Sequence, residues 1–236
     1  MNAEASVPWR AFRWLVAMLV PVTLIGFGIR VLLTPLYLQL EYRLPSFPAD
    51  EYGFTTEERI HWGAYGINFL LNDAPISFLG DLTFDTGKPL FGERELGHMD
   101  DVKAVVQRVL AIWYVVLVTM AGAFLWAWRT GKLLEVRRGL KLGGLLTLGI
   151  AAAAASIGAA GLMGGGEVFW RFFSAFHAVF FSGDSWLFAY SDTLIRLYPI
   201  RFWQDTVLYL GALVALAATA LFIGLKDSST ASNSSR

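Results

Sequence analysis

The sequence predicts a mainly α-helical fold: a four-helix transmembrane bundle with a small α+β extracytoplasmic subdomain between helices 1 and 2. Three observations predict it. Four stretches stay apolar over the roughly 20 residues that a helix needs to cross a bilayer. The chain as a whole is 56% hydrophobic, with a mean hydropathy of +0.51. Only 16% of its residues are charged, against about a quarter in a soluble domain.

The first apolar run, Phe12 to Leu33, follows Arg10 and Arg13 much as a signal peptide would. It is longer than a signal peptide's apolar region and has no small-residue cleavage site, so it reads as an uncleaved anchor, with the helix taken over 12–38. The second span is placed at 104–128, the third at 142–163 and the fourth at 202–225. Gly and Ala crowd the third, which predicts close helix–helix packing through small residues.

Orientation follows from basic residues in short loops. The loop 129–141 holds Arg129, Lys132, Arg137, Arg138 and Lys141 against a single acid, Glu135, and is expected on the cytoplasmic side. The N-terminal segment 1–11 and the Ser/Asn-rich tail 226–236, which reads as disordered, then share that side. Segments 39–103 and 164–201 lie outside. The sequon at Asn233 falls on the cytoplasmic side and carries no message.

Within 39–103, Thr55-Thr-Glu-Glu58 matches a capping box opening a helix that runs to about Leu71. Short alternating apolar stretches between Ile76 and Phe91, on either side of Asp85-Thr-Gly-Lys88, predict a β-hairpin or small sheet. From Glu93 one continuous helix is expected to feed into the second span. In 164–201, Phe169, Phe172, Phe173, Phe176 and Phe180 recur at spacings of three and four, so they share one face of a helix in the interface or continuing the third span. Trp170, Trp186 and Trp203 suit the headgroup level, where indole rings are favoured.

Several function classes drop out. Formal net charge is zero, so a nucleic-acid partner has no overall basic pull behind it. Absence of cysteine removes disulfides, thiolate metal ligands and a cysteine nucleophile. No G-x-S-x-G elbow marks a serine hydrolase. The spans are read as nearly free of ionisable groups, with Arg30 the exception, and this weakens a proton or ion relay. Arg30 either snorkels to the surface or holds a lipid phosphate or carbonyl.

Chemistry is left to the outer segments and to three histidines. In Glu93-Arg-Glu-Leu-Gly-His-Met-Asp-Asp-Val-Lys103, helical spacing places Arg94, Glu95 and Asp101 on or near the face of His98. A carboxylate there can hold one imidazole nitrogen and make the other more basic. At about 1.5 Å per residue, His98 stands on the order of 9 Å above the start of the second span. In Phe176-His-Ala-Val-Phe-Phe-Ser-Gly-Asp-Ser-Trp-Leu-Phe188, His177 is a lone imidazole among aromatics, with Asp184, Ser185 and Trp186 following. Spacing alone does not make either histidine catalytic, since an imidazole in such a place is commonly a packing or hydrogen-bonding residue. A metal site built from His98, His177 and nearby acids lacks a paired motif such as H-x-x-x-H. His61, followed by Trp62, reads as structural.

The run Leu90-Phe-Gly-Glu-Arg-Glu-Leu-Gly-His-Met-Asp-Asp-Val-Lys103 resembles one hallmark of the lipoprotein intramolecular transacylase family of bacterial membrane proteins, and Phe176 to Phe188 resembles its second. The Tyr52-Gly-Phe-Thr-Thr-Glu-Glu58 opening and the four-span layout are similar as well. The resemblance implies an enzyme of the bacterial plasma membrane with its active site outside. It would move the sn-2 acyl chain of a diacylglyceryl group to the α-amine of a lipoprotein's N-terminal cysteine. Diacylglyceryl lipoproteins and membrane lipids would be its partners, and no cofactor is implied. By motif the two catalytic histidines fall on His98 and His177. Arg94, Glu95, Asp101, Asp184, Trp186 and Arg30 are the candidates for binding or supporting roles. Arg94 either stabilises the oxyanion or pairs with Glu95 or Asp101. The histidines suit this chemistry on their own account, because an α-amine with a reference pKa near about 7.7–8.0 is within reach of an imidazole base. Two rivals stand beside this reading: a non-enzymatic membrane protein that binds a lipid or protein partner through its acidic outer loop, and a metal-dependent membrane hydrolase.

Overall fold

The structure is a computed structural model that describes residues 7–163 and 166–225. The tail 226–236, expected to be disordered, lies outside the described residues. These form helices α1 (Val7–Leu32), α2 (Pro35–Tyr42), α3 (Thr56–Leu71), α4 (Ser77–Gly80), α5 (Glu93–Arg129), α6 (Leu133–Leu162), α7 (Gly166–Phe180), α8 (Thr193–Leu197) and α9 (Ile200–Gly224). Four of them, α1, α5, α6 and α9, are long and apolar enough to cross a membrane. The chain is a multi-pass membrane protein.

The expected α+β subdomain is not present, because no strand forms among the described residues. Around Asp85-Thr-Gly-Lys88 the chain does turn back on itself. The Phe84 amide donates to the Lys88 carbonyl at 2.9 Å and the Leu90 amide to the Leu82 carbonyl at 2.8 Å, with Gly87 supplying the left-handed φ of +79°. Only one antiparallel bridge results, Thr83 to Pro89. Pro89 has no N–H to extend a ladder, and α4 and α5 claim the residues on either side. Alternation marked the turn but overstated the pairing.

The first long helix also stops short of residue 38. It ends at Leu32, and Pro35 opens α2 with Thr34 as its cap, the Thr34 hydroxyl accepting from the Tyr37 amide. A proline disfavours helical geometry in the residue before it and suits a helix's first turn. The helix at Thr56–Leu71 forms with a complete capping box: the Glu58 amide donates to the Thr55 hydroxyl, and the Thr55 amide to the Glu58 carboxylate.

The described chain divides into two compact units. One comprises residues up to Gly28 together with Ile112–Ala154 and the chain from Leu210 onward. Glycines set its helix spacing. A Cβ on Gly139 would come within 2.8 Å of the Arg13 carbonyl, and one on Gly143 within 2.7 Å of the Ala17 carbonyl. The α6 backbone therefore lies directly against α1, as small-residue packing in lipid requires. Val16, Ala127 and Val136 are buried together beside this contact.

The second unit comprises Ile29–Ala111 and Ala155–Tyr209. Its core gathers Phe69, Leu79, Leu90, Phe91, Met99, Leu194 and Leu197, with a second cluster of Tyr37, Leu38, Tyr42, Ile67 and Phe202. Polar ties reach long distances in sequence. Tyr198 sits over the glycines of α3 and donates to the Gly63 carbonyl at 2.6 Å. Lys103 donates to the Ala74 carbonyl at 2.6 Å and lies 4.0 Å above the Phe69 ring. Arg196 donates through two nitrogens to Asp50.

Candidate active site

The site is built on two helices of the second unit. α5 starts at Glu93 because Glu95 caps it: the Gly92 amide donates to the Glu95 carboxylate at 2.7 Å, and the other carboxylate oxygen takes the Leu194 amide at 2.7 Å. One buried carboxylate thus serves the first turns of both α5 and α8, and it is used up in doing so. His98 follows one turn later. α7 carries the phenylalanine stripe expected of it, with Phe169 fully buried, and His177 lies in its last turn.

The two imidazoles meet. Their ring centres are 6.2 Å apart and the rings are 23° from parallel. His177 is 8% exposed and packed against Phe173 (4.0 Å) and Trp186 (4.6 Å). His98 lies between Phe181 (4.8 Å) and Phe188 (5.4 Å). The His177 Nδ1 is 2.8 Å from the Phe173 carbonyl oxygen. A carbonyl only accepts, so Nδ1 carries the hydrogen and Nε2 is the basic atom. Burial lowers the pKa of His177 below the usual histidine value, against the opposing pull of the Phe173 carbonyl. The Nδ1 of His98 is sealed from water without a hydrogen-bond partner among the described residues. An orphaned donor is the rarer state in proteins, so the arrangement that fits is a neutral ring with its hydrogen on Nε2.

The expected supporting residues are distributed differently. Neither Glu95 nor Asp101 holds a nitrogen of His98: Glu95 is spent on two backbone amides, and Asp101 is exposed. Arg94 pairs with neither acid. Its guanidinium donates to the carbonyls of Asp184 (3.1 Å) and Leu187 (3.0 Å) and lies over the Phe188 ring. It therefore fastens the loop that carries Trp186 and Phe188 against the two histidines. Asp184 contributes its backbone carbonyl to this tether. Arg30 donates to the Leu33 carbonyl at 3.3 Å and closes the end of its own helix. His61 packs edge-on to Trp62 and Tyr65. No group of three or more His, Asp or Glu suited to a metal ion occurs among the described residues.

Beside the pair is a cavity of about 380 Å³, lined on one side by Asp101, Val105 and Arg108 of α5 and on the other by Phe181, Ser182 and Ser185. Neither imidazole lines it, but Phe181 belongs to both the cavity and the ring shell of His98. Arg108 falls inside the second span as drawn from sequence, and Asp205 inside the fourth, so the spans hold more ionisable groups than Arg30 alone. The signal for Arg108 was available in helical register, since 98, 101, 105 and 108 fall along one face.

A helical, multi-pass membrane protein in which two sequence-distant histidines face each other inside an aromatic shell is the class that fold and site define. Residues 14–203 match the family described as lipoprotein intramolecular transacylase Lit, and the chain belongs to that family, which makes it an acyltransferase acting on lipoproteins. It is 30% identical over 215 residues to an uncharacterized protein of Aquifex aeolicus (strain VF5), covering 87% of this chain and 89% of that one. The fold is similar to that of the crystallised membrane integral lipoprotein intramolecular transacylase Lit from Bacillus cereus. That match has a TM-score of 0.72 and 16% identity, and covers 97% of this chain and all of the other.

Proposed function

We propose that this chain moves the sn-2 acyl chain of a diacylglyceryl lipoprotein to the α-amine of its N-terminal cysteine, with His177 as proton carrier and His98 as hydrogen-bond donor to the reacting carbonyl. The observation that carries the assignment is the 6.2 Å approach of the two rings with one Nδ1 bonded and the other orphaned. The α-ammonium releases one proton to water before attack, so that the attacking group is –NH2. Its nitrogen attacks the ester carbonyl carbon, and the His177 Nε2 takes a proton from that nitrogen as the C–N bond forms. The carbonyl oxygen becomes an oxyanion, and the His98 Nε2–H donates to it. Collapse breaks the bond to the glycerol oxygen, which receives the proton held by His177. The products are an amide and a free glycerol hydroxyl, and both histidines return to their starting states.

Ester and amine belong to one substrate molecule, so no activated donor is required, and orientation replaces a second encounter. The aromatic shell excludes water that would otherwise hydrolyse the ester. The basic loop 129–141 supports placing that loop and both chain ends in the cytoplasm, with 39–103, 164–201 and the histidines at the outer face of the plasma membrane. Membrane lipids around the outer segments would be the second partner.

The test is expression of the chain, and of His177→Gln, in a host lacking the activity, followed by mass spectrometry of lipoprotein N-termini. Wild type should yield N-acylated, mono-O-acyl lipoprotein, and His177→Gln should not. Equal product from a normally accumulating His177→Gln protein would exclude the role given to that ring.

A further inference from the structure

The cavity beside the histidines shares the Phe181 ring with the shell of His98. One wall is the next turns of α5, and the other is the end of α7 and the turn that follows it. On α5, Asp101, Val105 and Arg108 follow His98 at intervals of three, four and three residues, which is one face of a helix. On the other side, Phe181 follows His177 by four residues and its amide donates to the His177 carbonyl at 2.8 Å. The walls are half polar, with an acid, a base and two serine hydroxyls among the lining groups. Neither the Asp101 carboxylate nor the Arg108 guanidinium has a hydrogen bond or ion pair among the described residues, and both residues are exposed. Seven residues apart on one helix, they stand about 10 Å apart along its axis. A hydrocarbon chain would leave the charged and hydroxyl groups of this lining unpartnered, whereas a chain end with a cation and carbonyl oxygens pairs with them.

On the reading that the histidines transfer an acyl group to an α-amine, we infer that this cavity seats the first backbone units of the lipoprotein, with Asp101 receiving the α-ammonium and Arg108 the carbonyl oxygens that follow. An extended dipeptide spans about 7 Å, a length that the reach of the two side chains accommodates. Charge then separates substrate from product. Before transfer the substrate nitrogen is cationic and held by Asp101. Afterwards it is a neutral amide, and the carboxylate has lost its partner. Acylation thereby weakens the enzyme's hold on the molecule it has finished with.

The experiment uses the full chain in lipid nanodiscs and a cysteinyl lipopeptide whose glyceryl chains are ether-linked, so no acyl transfer takes place. Binding of this free-amine probe near pH 6.5 is compared with binding of its N-acetyl counterpart. Wild type should prefer the free amine about tenfold, as one charge-assisted hydrogen bond allows. Asp101→Asn should bring the two probes near parity, Asp101→Glu should keep the preference, and Arg108→Gln should weaken both probes alike. A preference that survives in Asp101→Asn, or its absence in wild type, would overturn the inference, and unchanged affinities in Arg108→Gln would remove the arginine from it. The probe cannot turn over, so these outcomes are independent of the catalytic reading, which the ester substrate and His177→Gln test separately.

Discussion

His177 shares its Nδ1 hydrogen with the Phe173 carbonyl one turn back along α7, at 2.8 Å. That bond fixes the tautomer of a ring wedged between Phe173 and Trp186, and it leaves Nε2 as the atom available to a substrate. His98, with no partner for its own Nδ1 among the described residues, is positioned to donate from Nε2. The two rings thus have different duties, and substitutions should separate them. A glutamine at 98 retains an N–H donor, so His98→Gln should keep more activity than His98→Ala, which should lose about 10²–10³-fold in kcat as loss of one oxyanion donor does. At 177 an amide cannot carry a proton, so His177→Gln and His177→Ala should be equally inactive. Steady-state kinetics on a diacylglyceryl lipopeptide decide it, and equal losses for Gln and Ala at position 98 would refute the donor role.

The pH profile follows from the same bond. As a base His177 works unprotonated, and burial holds its pKa below the ordinary histidine value. Activity attributable to this ring should therefore be complete by neutral pH and should fall only below about 6.5. A second rise on the alkaline side, near about 7.7–8.0, belongs to the substrate's amine. Replacing Phe173 alters the packing but not the carbonyl, so Phe173→Leu should shift the acidic limb by less than Trp186→Ala, which opens the ring to water. A kcat/KM profile with its acidic limb above pH 7 would contradict this assignment.

Arg94 makes a separate prediction. Its guanidinium bridges the carbonyls of Asp184 and Leu187, holding the loop whose Trp186 and Phe188 rings touch the two histidines. Arg94→Ala should raise KM and lower kcat together, by about 10–100-fold in kcat/KM, as expected when catalytic groups move by about an ångström. Both bonds leave one nitrogen, Nη2, while the planar guanidinium also lies over the Phe188 ring; an ammonium cannot stack in that way, so Arg94→Lys should rescue little. Faster hydrogen exchange at 184–188 in Arg94→Ala would tie the loss to the loop. An effect on kcat alone, rescued by lysine, would instead make Arg94 an oxyanion donor.

Close packing on α6 is testable with a matched pair. A side chain at Gly143 meets the Ala17 carbonyl at 2.7 Å and the Val20 Cβ at 2.5 Å, whereas one at Gly149 meets nothing within 4 Å. Gly143→Ala should cost about 1–3 kcal/mol as overpacking does. Gly149→Ala should be neutral or stabilising by up to about 1 kcal/mol, because alanine is the better helix former. Thermal unfolding in one detergent compares the two, and the same melting temperature for both would deny the close contact.

What was legible in the sequence shares a physical origin. Helices Thr56–Leu71 and Glu93–Arg129, the turn at Gly87 and the aromatic face of α7 are encoded by neighbours a few residues apart, through caps, glycines and periodicity. The two histidines were legible through the family resemblance, since nothing local links residue 98 to residue 177. What was not legible depends on tertiary competition. Glu95 looked like a partner for His98 because helical spacing allowed it, yet two backbone amides, one from a residue 99 positions away, claim its oxygens. Arg94 likewise found carbonyls in a loop that its own segment could not reveal. The hairpin failed because alternation reports which residues are apolar and is silent on whether a second strand is there to receive them. Arg108 and Asp205 escaped notice because a long apolar run absorbs one charge without losing its character.

Asp205 leads to the last prediction. The Glu41 side chain on α2 is 1% exposed, and neither of its oxygens has a donor partner among the described residues. It faces Asp205, which takes the Arg201 Nε hydrogen at 2.5 Å. Two carboxyl groups beside one guanidinium leave a surplus negative charge, and a proton on Glu41 removes it. Burial, and then the neighbouring Asp205, push the Glu41 pKa up from 4.5 to about 8. With the folded pKa above the unfolded one, the folded state binds more protons between those values. The stability that Glu41 contributes should therefore be complete below about pH 4.5 and be lost as pH rises through about 8. Glu41→Gln keeps the neutral shape and removes the titration, so it should melt close to wild type at pH 5. At pH 8 it should melt higher, by about 1–3 kcal/mol, which for a chain of this size is roughly 2–12 °C. Asp205→Asn should do the reverse at every pH, because it strips Arg201 of its partner while Glu41 stays buried. A Glu41→Gln protein less stable than wild type at pH 8 would show instead that Glu41 is charged in the folded state and that Arg201 is shared between both carboxylates.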